Sequence, residues 1–330
     1  DLLPELAKRH DIVLVTSGTE TRYRERVPGE VHIEQCAIPR LRPFRPLAYI
    51  RAVVAVRRLC REQRIDRVHS NSVRAGLVAA ACGKPWTHMA HDFTLPKVFA
   101  SVFRRAQRIA CCSAAVQADL VEKGLPAEKL TVIPNGVDIE QYHKLAGRPF
   151  EETHPLIAIV GRLDTWKGQD IFVQAVPRIQ AAIPGARFII YGEASAHDPQ
   201  TMVFAEALRE MAPECVEFRA FRPMPEILAT TDLLVHASTQ PEPFGRVVLE
   251  AMAAGVPIVA AWDGGVPDIL GGELRAFGHT PGDAEELAER VVAVARQPAL
   301  RAQYATIGRR RADQFRLEQV AEQLMSSWQE

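Results

Sequence analysis

The sequence lacks the features that would place it outside the ordinary globular proteins. Its 330 residues include 6 cysteines, with no Cys-x-x-Cys pair and no His/Cys spacing that could close around zinc. No segment approaches the roughly 20 uninterrupted apolar residues of a membrane span, and the N-terminus carries no basic-then-apolar signal. We therefore interpret the cysteines as reduced core thiols and expect a cytoplasmic protein that does not cross a membrane.

The chain also lacks net charge, but its two halves are charged in opposite senses. Residues 1–150 hold 24 Lys and Arg against 15 Asp and Glu, and residues 151–330 hold 16 against 25, so the halves carry +9 and −9. Much of the positive excess lies in and before the helix-like segment PLAYIRAVVAVRRLCREQ, at Arg40, Arg42, Arg45, Arg51, Arg57, Arg58, Arg61 and Arg64. Two interpretations stay open: a solvated helix face, or a contact surface for an anionic membrane or an acidic acceptor.

Length and periodicity predict two α/β domains. A chain of 330 residues exceeds what one core usually serves, and 47% hydrophobic with 24% charged residues is a globular composition. Short β-branched apolar runs alternate with helix-length amphipathic segments such as 46–64 and 113–123, which indicates doubly wound parallel sheets covered by helices on both faces. The predicted strands are 11–17, 66–71, 86–91, 108–113 and 130–135 in the first half, and 156–161, 186–192, 216–221, 232–238 and 257–262 in the second.

The domain boundary is predicted in a polar stretch, 138–155, that contains two prolines and a glycine and has no sustained periodicity. The chain then divides into a first domain, 1–145, a second domain, 146–315, and a final helix, 316–330, that we expect to cross back onto the first. A doubly wound domain normally opens with a strand and a glycine turn, whereas this sequence opens with helix-like residues 2–10. We therefore expect a preceding strand and βα turn that this sequence lacks.

The strongest chemical pattern is HASTQPEPFGRVVLEAMAAGVPIVAAWDGG, residues 236–265, in which a strand, a turn, a helix and another strand follow each other. A helix that begins near Gly245 directs its unbonded N–H groups and its positive dipole end into the crevice at the strand's carboxyl end, where a diphosphate can bind. Glu250, in the second turn, leans toward the same crevice and can accept two ribose hydroxyls. Glu242, in the turn itself, suits the hydroxyls of a sugar.

The alternative for the two glutamates is an exposed helix face, and the Pro-Phe-Gly turn between them makes that the weaker interpretation. Phe244 and Gly245 leave room for backbone amides to approach the sugar. A second pattern, LIAIVGRLDTWKGQD, runs an apolar strand directly into a loop with Arg162 and Lys167. An Arg and a Lys in a loop are usually surface charges, but beside an anion-binding helix start they can neutralise a diphosphate leaving group.

These segments resemble a known family. GRLDTWKG, PEPFGRVVLEAMAAGVPIVA and GGVPDIL are similar to the C-terminal domain of the family 4 retaining glycosyltransferases (glycosyl transferases group 1), and CSAAVQADLVEKGLPAEKLTVIPNGVD is similar to the end of their first domain. The resemblance runs from about residue 86 to the C-terminus. It implies the GT-B fold, with an N-terminal acceptor domain and a C-terminal nucleotide-sugar donor domain, two Rossmann-like units facing across a cleft.

The resemblance also implies individual roles. It assigns Arg162 and Lys167 to the donor diphosphate, Glu242 to the transferred sugar and Glu250 to the ribose, while His91 in MAHDFT matches a first-domain histidine that faces the sugar. The implied catalytic residues are Glu242, His91, Lys167 and Arg162, and the implied donor-binding residues are Arg162, Lys167, Phe244, Gly245, Arg246, Glu250 and Arg222. Two departures are the opening strand with its glycine-rich loop, absent here, and Asp268, where a glutamate is common.

The expected function is transfer of a sugar, with retention at the anomeric carbon, from a UDP- or GDP-linked donor to an acceptor hydroxyl. No Asp-x-Asp motif is present to hold Mg²⁺, so we expect no metal and no other cofactor. The basic first half favours a lipid-linked or anionic acceptor, as in cell-envelope polysaccharide, lipopolysaccharide or glycolipid synthesis, at the inner face of the membrane; nucleic acid is not an expected partner. The alternatives are a nucleotide-sugar epimerase of the same fold and a non-catalytic nucleotide-sugar binder.

Overall fold

The computed structural model describes residues 2–17, 27–39, 46–145 and 148–329. The chain forms two compact units, one made of Asp1–Gly136 with Phe315–Glu330 and the other of Val137–Gln314. Three arginines of the basic stretch, Arg40, Arg42 and Arg45, lie outside the described residues. The predicted boundary after residue 145 and the acceptor and donor roles of the two halves stay predictions.

The helices and strands alternate along the whole chain. In the first unit they are α1 (Leu3–Ala7), β1 (Val13–Thr16), β2 (His32–Gln35), α2 (Pro46–Glu62), β3 (Val68–Ser70), α3 (Val73–Ala79), β4 (Trp86–Ala90), α4 (Ala100–Phe103), β5 (Ile109–Cys111), α5 (Ala114–Glu122) and β6 (Leu130–Val132). In the second they are α6 (Ile139–His143), β7 (Leu156–Val160), α7 (Gln169–Ala182), β8 (Arg187–Tyr191), α8 (Pro199–Met211), β9 (Val216–Arg219), α9 (Met224–Leu228), β10 (Leu233–His236), α10 (Arg246–Ala254), β11 (Ile258–Ala261), α11 (Val266–Leu270), β12 (Gly278–His279), α12 (Ala284–Arg296) and α13 (Pro298–Ala312). The last helix, α14, spans Leu317–Gln329 and belongs to the first unit.

The first unit contains parallel strands only, within the ranges described. β1 pairs with β2, and a four-stranded sheet has the order β3-β4-β5-β6. The unit's last helix, α14, packs against α1, and its Trp328 ring lies 5.6 Å from that of His10 and 5.5 Å from that of His69. The C-terminal residues therefore complete the core of the unit that the N-terminal residues begin.

The second unit is built on a six-stranded parallel sheet in the order β9-β8-β7-β10-β11-β12. The chain proceeds from β7 outward to β9 and then returns to the other side of β7 to form β10. Both central strands are buried along their whole length, as their apolar sequences predict. In sheets of this order, ligands bind in the crevice at the carboxyl ends of the two strands where the direction of winding reverses. Here those strands are β7 and β10.

The predicted strands are confirmed, with ends that are shorter by up to three residues. Two strands were not predicted. β2 has Ile33 as its one buried side chain, and β12 has two residues, so neither carries an apolar run. The predicted opening helix, 2–10, is shorter and covers Leu3–Ala7.

The stretch 138–155, interpreted above as a linker, begins with a helix and in that respect the interpretation was wrong. Asp138 accepts a hydrogen bond from the backbone N–H of Gln141 and so caps α6, which buries Ile139 and Tyr142 in the second unit. A five-residue helix is too short to display a period in the sequence. None of the helices in the described segments combines the length and the apolar composition that crossing a membrane would take.

Candidate functional site

The loops that follow β7 and β10 touch each other through their backbones. Gly168 has a φ of +71°, and a Cβ atom at this position would lie 1.8 Å from the carbonyl oxygen of Ala237. The N–H of Thr239 donates a hydrogen bond of 2.8 Å to the carbonyl of Trp166 in the facing loop. This approach requires glycine at 168. It brings together the two sequence patterns, residues 156–170 and 236–265.

An ion pair links the two loops. Lys167 Nζ lies 2.7 Å from Glu242 Oε2, and the two side chains are 23% and 13% exposed. The ammonium group also lies 3.8 Å from the centre of the Trp166 ring. Because both charges are largely removed from water, salt screens their attraction much less than it would screen a surface pair. A cation and a carboxylate from loops 75 residues apart in sequence are thus fixed at the carboxyl edge of the sheet.

Glu242 has further partners that sequence reasoning missed. His236 Nε2 lies 3.3 Å from its Oε2, and the Ser238 hydroxyl donates to the same oxygen at 3.2 Å. Burial would by itself raise the pKa of Glu242, but the hydrogen bond and charge of His236, together with Lys167, lower it to about 2. The carboxylate is therefore ionised at neutral pH.

Two glycines support the turn that carries Glu242. Gly264 has a φ of +61°, and a Cβ atom there would lie 2.1 Å from the Glu242 carbonyl oxygen. The N–H of Gly265 donates a hydrogen bond of 2.7 Å to that same oxygen. The loop before α11 thus packs directly on the backbone of the turn, and any side chain larger than hydrogen at 264 would displace it.

The helix start predicted near Gly245 is confirmed. Gly245 precedes α10 with a φ of +101°, and no side chain caps the helix there. Glu250, one turn into α10, is buried, lies 3.5 Å from Arg246 Nη2 and accepts a hydrogen bond from the Tyr142 hydroxyl. Burial raises the pKa of Glu250, and Arg246 and Tyr142 offset part of that rise. Neither glutamate lies on an exposed helix face, so that alternative is wrong.

The remaining predicted residues of the second unit lie at different places around the two glutamates. Phe244 is buried beside the α10 start. Arg162 follows β7, is 56% exposed and pairs with Asp164 at 2.8 Å. Arg222 is exposed and follows β9, which is separated from β7 by β8, and its role toward the donor stays a prediction. Among the residues that the structure describes, no group of three or more His, Cys, Asp and Glu side chains is placed to hold a metal ion.

His91 belongs to the first unit. It directly follows β4, its Nε2 lies 3.4 Å from Asn71 Oδ1, and it lines a cavity of about 230 Å³ together with Ser72, Arg74 and Asp92. The cavity opens at the carboxyl ends of β3 and β4, where a parallel sheet presents its functional loops. The role of His91 toward a donor sugar stays a prediction.

Two family models match most of the chain. The family model "Glycosyl transferases group 1" matches residues 143–311, and "Glycosyltransferase Family 4" matches residues 1–141. Glycogen synthase of Mycobacterium tuberculosis is 31% identical over 216 residues, 63% of this chain and 50% of that protein. A GDP-mannose-dependent monoacylated alpha-(1-6)-phosphatidylinositol monomannoside mannosyltransferase of Corynebacterium glutamicum is 30% identical over 54% of this chain and 50% of its own. The chain thus spans about half the length of the curated relatives it matches.

The crystal structure of Anabaena Alr3699/HepE in complex with UDP and glucose is similar at the level of fold. It superposes with a TM-score of 0.81 at 24% identity, covering 99% of this chain and 95% of HepE. Together with the two parallel-sheet units, this likeness confirms the predicted fold class, GT-B.

The close approach at Gly168 predicts an unusually sensitive position. We expect Gly168→Ala to lower the free energy of unfolding by about 3 kcal/mol, because the new Cβ adds overpacking to the cost of a positive φ. Gly282→Ala is the matched control, since Gly282 has a φ of +80° with no atom within 4 Å of a built Cβ, and should cost about 1 kcal/mol. Denaturant unfolding measures both; equal losses would show that the contact with Ala237 contributes nothing.

The ionised state of Glu242 predicts a pH-dependent contribution to stability. Its folded-state pKa of about 2 lies below its usual 4.5, so the stabilisation is complete above about pH 4.5 and is lost as pH falls toward 2. We expect Glu242→Gln to destabilise the chain by up to about 3 kcal/mol at pH 7, and by less at pH 3. Glu206→Gln, an exposed change on α8, is the control. A Glu242→Gln deficit of the same size at pH 7 and pH 3 would contradict this account.

Proposed function

The chain belongs to the glycosyl transferases group 1 family, and from that membership we propose that it transfers a sugar from a nucleoside-diphosphate sugar to an acceptor hydroxyl. The observation that carries the proposal is the Lys167–Glu242 pair at the carboxyl ends of β7 and β10. A cation for phosphate and a carboxylate for sugar hydroxyls lie together where sheets of this order bind nucleotides.

Each residue of the site has a proposed task. Lys167 and Arg162 neutralise the donor diphosphate, helped by the positive end of α10 at Gly245. Glu250 accepts hydrogen bonds from the ribose hydroxyls, and Tyr142 holds its carboxylate in the absence of donor. Glu242 accepts hydrogen bonds from the transferred sugar, and its ionised state supports this role because an ionised carboxylate only accepts.

We propose a retaining, metal-independent reaction. The acceptor oxygen forms its bond to the anomeric carbon on the face from which the diphosphate leaves, the bond from that carbon to the phosphate oxygen breaks, and the acceptor proton passes to the departing phosphate. Fixed positive charge from Lys167, Arg162 and α10 stabilises the departing anion, in place of a metal ion. Nuclear magnetic resonance of the first-formed product tests the stereochemistry, and an inverted anomeric configuration would contradict it.

The donor base is proposed to be uracil or guanine. Support comes from two similar proteins: HepE was crystallised with UDP, and the mannosyltransferase of Corynebacterium glutamicum is named for GDP-mannose. That mannosyltransferase is also named for a phosphatidylinositol acceptor, which supports a lipid-linked or anionic acceptor here. With such an acceptor, we propose that the enzyme works at the inner face of the membrane.

Donor binding should depend on Glu250. We expect UDP or GDP at a hundred times its dissociation constant to stabilise the chain by about 2.7 kcal/mol, a rise of roughly 5 to 10 °C in Tm. Glu250→Gln should abolish most of the rise because a neutral amide is a weaker acceptor for two hydroxyls, whereas Glu206→Gln on α8 should keep it. A full shift in Glu250→Gln would remove this residue from the nucleotide site.

The charge of Lys167 should set the rate at which the diphosphate departs. With saturating UDP- or GDP-sugar, we expect Lys167→Gln to slow nucleoside diphosphate release about a hundredfold, because glutamine is polar but supplies no charge. Arg162→Gln should slow this release by a smaller factor, since the Arg162 side chain is half exposed and paired with Asp164. Excess EDTA should leave the wild-type rate unchanged. An unaltered rate in Lys167→Gln, or loss of activity in EDTA, would contradict the proposal.

A further inference from the structure

Helix α2 buries one face in the core of the first unit. Ala52, Val56 and Cys60 recur every four residues and pack with Val78 and Cys82. Because residues four apart lie on one side of a helix, these positions define the inward face. The packing fixes which side chains of α2 point away from the protein.

The outward face carries apolar side chains in one row. Leu47 is 71% exposed, and Ile50 and Val54 are each 58% exposed. Their spacing of three and four residues places them on one line along the first two turns, opposite the buried row. Single exposed apolar residues are common, but a row of three among the exposed arginines of one helix indicates a surface that something covers.

Arginines share this face. Arg51 lies beside the apolar row, and Arg58 and Arg61 continue the line at the same helical spacing. Arg57 lies at its edge and donates a hydrogen bond to the carbonyl of Ala81. Against these four arginines α2 has one acidic residue, Glu62, which pairs with Arg58 at 2.6 Å. The helix therefore exposes apolar groups and net positive charge on the same side.

We propose that this face docks on an anionic lipid surface. We call it the α2 face and define it by Leu47, Ile50, Arg51, Val54, Arg58 and Arg61. Apolar side chains that enter the headgroup boundary, flanked by arginines that reach the phosphates, are the two components by which helices lying in a membrane interface bind. A solvated helix face needs no apolar row, and neither does a site for an acidic soluble acceptor, so the lipid surface accounts for both components.

The inference deepens the membrane location proposed above and rests on it, but it can be tested without donor or acceptor. The α2 face lies in the first unit, whereas Lys167, Glu242 and Glu250 lie in the second. Vesicle binding therefore reports on the α2 face, and the UDP- or GDP-induced rise in Tm reports on the nucleotide site. Loss of one with retention of the other identifies which proposal fails.

The experiment is co-sedimentation of the full chain with vesicles of phosphatidylcholine alone or mixed equally with phosphatidylglycerol. Two triple variants alter the α2 face, Leu47→Ser/Ile50→Ser/Val54→Ser and Arg51→Gln/Arg58→Gln/Arg61→Gln. Their matched controls in the second unit are Met202→Ser/Val203→Ser, which removes exposed apolar groups from α8, and Arg178→Gln/Arg309→Gln/Arg310→Gln, which removes the same charge. All these positions are exposed, and circular dichroism checks that each variant folds.

We expect the wild type to bind the anionic vesicles at low salt and to leave the neutral ones unbound. The arginine variant should bind about a hundredfold more weakly, since each arginine near such a surface contributes about a factor of five. The apolar variant should bind the anionic vesicles at least tenfold more weakly than the wild type. Both controls should bind within about twofold of the wild type. High salt should release the protein.

Three results would overturn the proposal. The wild type could fail to bind anionic vesicles, or the α2 variants could bind them as well as the wild type. The charge control could also lose as much vesicle affinity as the α2 arginine variant, which would indicate general electrostatic attraction only. Sedimentation velocity without vesicles adds a fourth: a wild-type dimer that the apolar variant dissociates would identify a second copy of the chain as the occupant.

Discussion

The candidate site depends on the approach of two peptide backbones at Gly168 and Ala237. Parallel strands bring the ends of β7 and β10 to one edge, but a sheet alone sets only the spacing of the strands. The missing Cβ at Gly168 and the hydrogen bond from Thr239 to Trp166 close the gap between the following loops. Only then can a lysine and a glutamate from separate βα units share a hydrogen bond at 2.7 Å.

The hydrogen bond between Lys167 and Glu242 fixes the positions of the charged groups in the site. Glu242 is largely buried and stays ionised because Lys167 and His236 compensate the loss of water around it. Lys167 in turn is held over the Trp166 ring near the position proposed for the diphosphate. A buried charge that has fixed partners does not need to reorganise when a ligand arrives, and this is the physical basis of electrostatic preorganisation. The double glycine at 264–265 serves the same end by supporting the turn that carries Glu242.

Much of the fold could be predicted from the sequence, because long apolar runs and helical periodicity are local signals. The start of α10 at Gly245 could also be predicted, since a glycine after a proline-rich turn is a local signal too. The partners of the two glutamates could not. His236 ends a strand that otherwise looks like an apolar run, and Tyr142 lies in a stretch whose polarity suggested a linker. Tyr142 contacts Glu250, which is distant in sequence. His236 contacts Glu242 across a turn whose geometry cannot be deduced from the spacing of the two residues.

The helix α6 has a consequence for recombining this chain with its relatives. Tyr142 ties α6 to Glu250, and α6 belongs to the unit that begins at Val137. A chimera joined near residue 145 would take α6 from one parent and α10 from the other, and would pair a tyrosine with a carboxylate that were never selected together. A junction after Gly136, with a second one before Phe315, exchanges the whole unit with its internal partners intact, because α14 stays with the first unit.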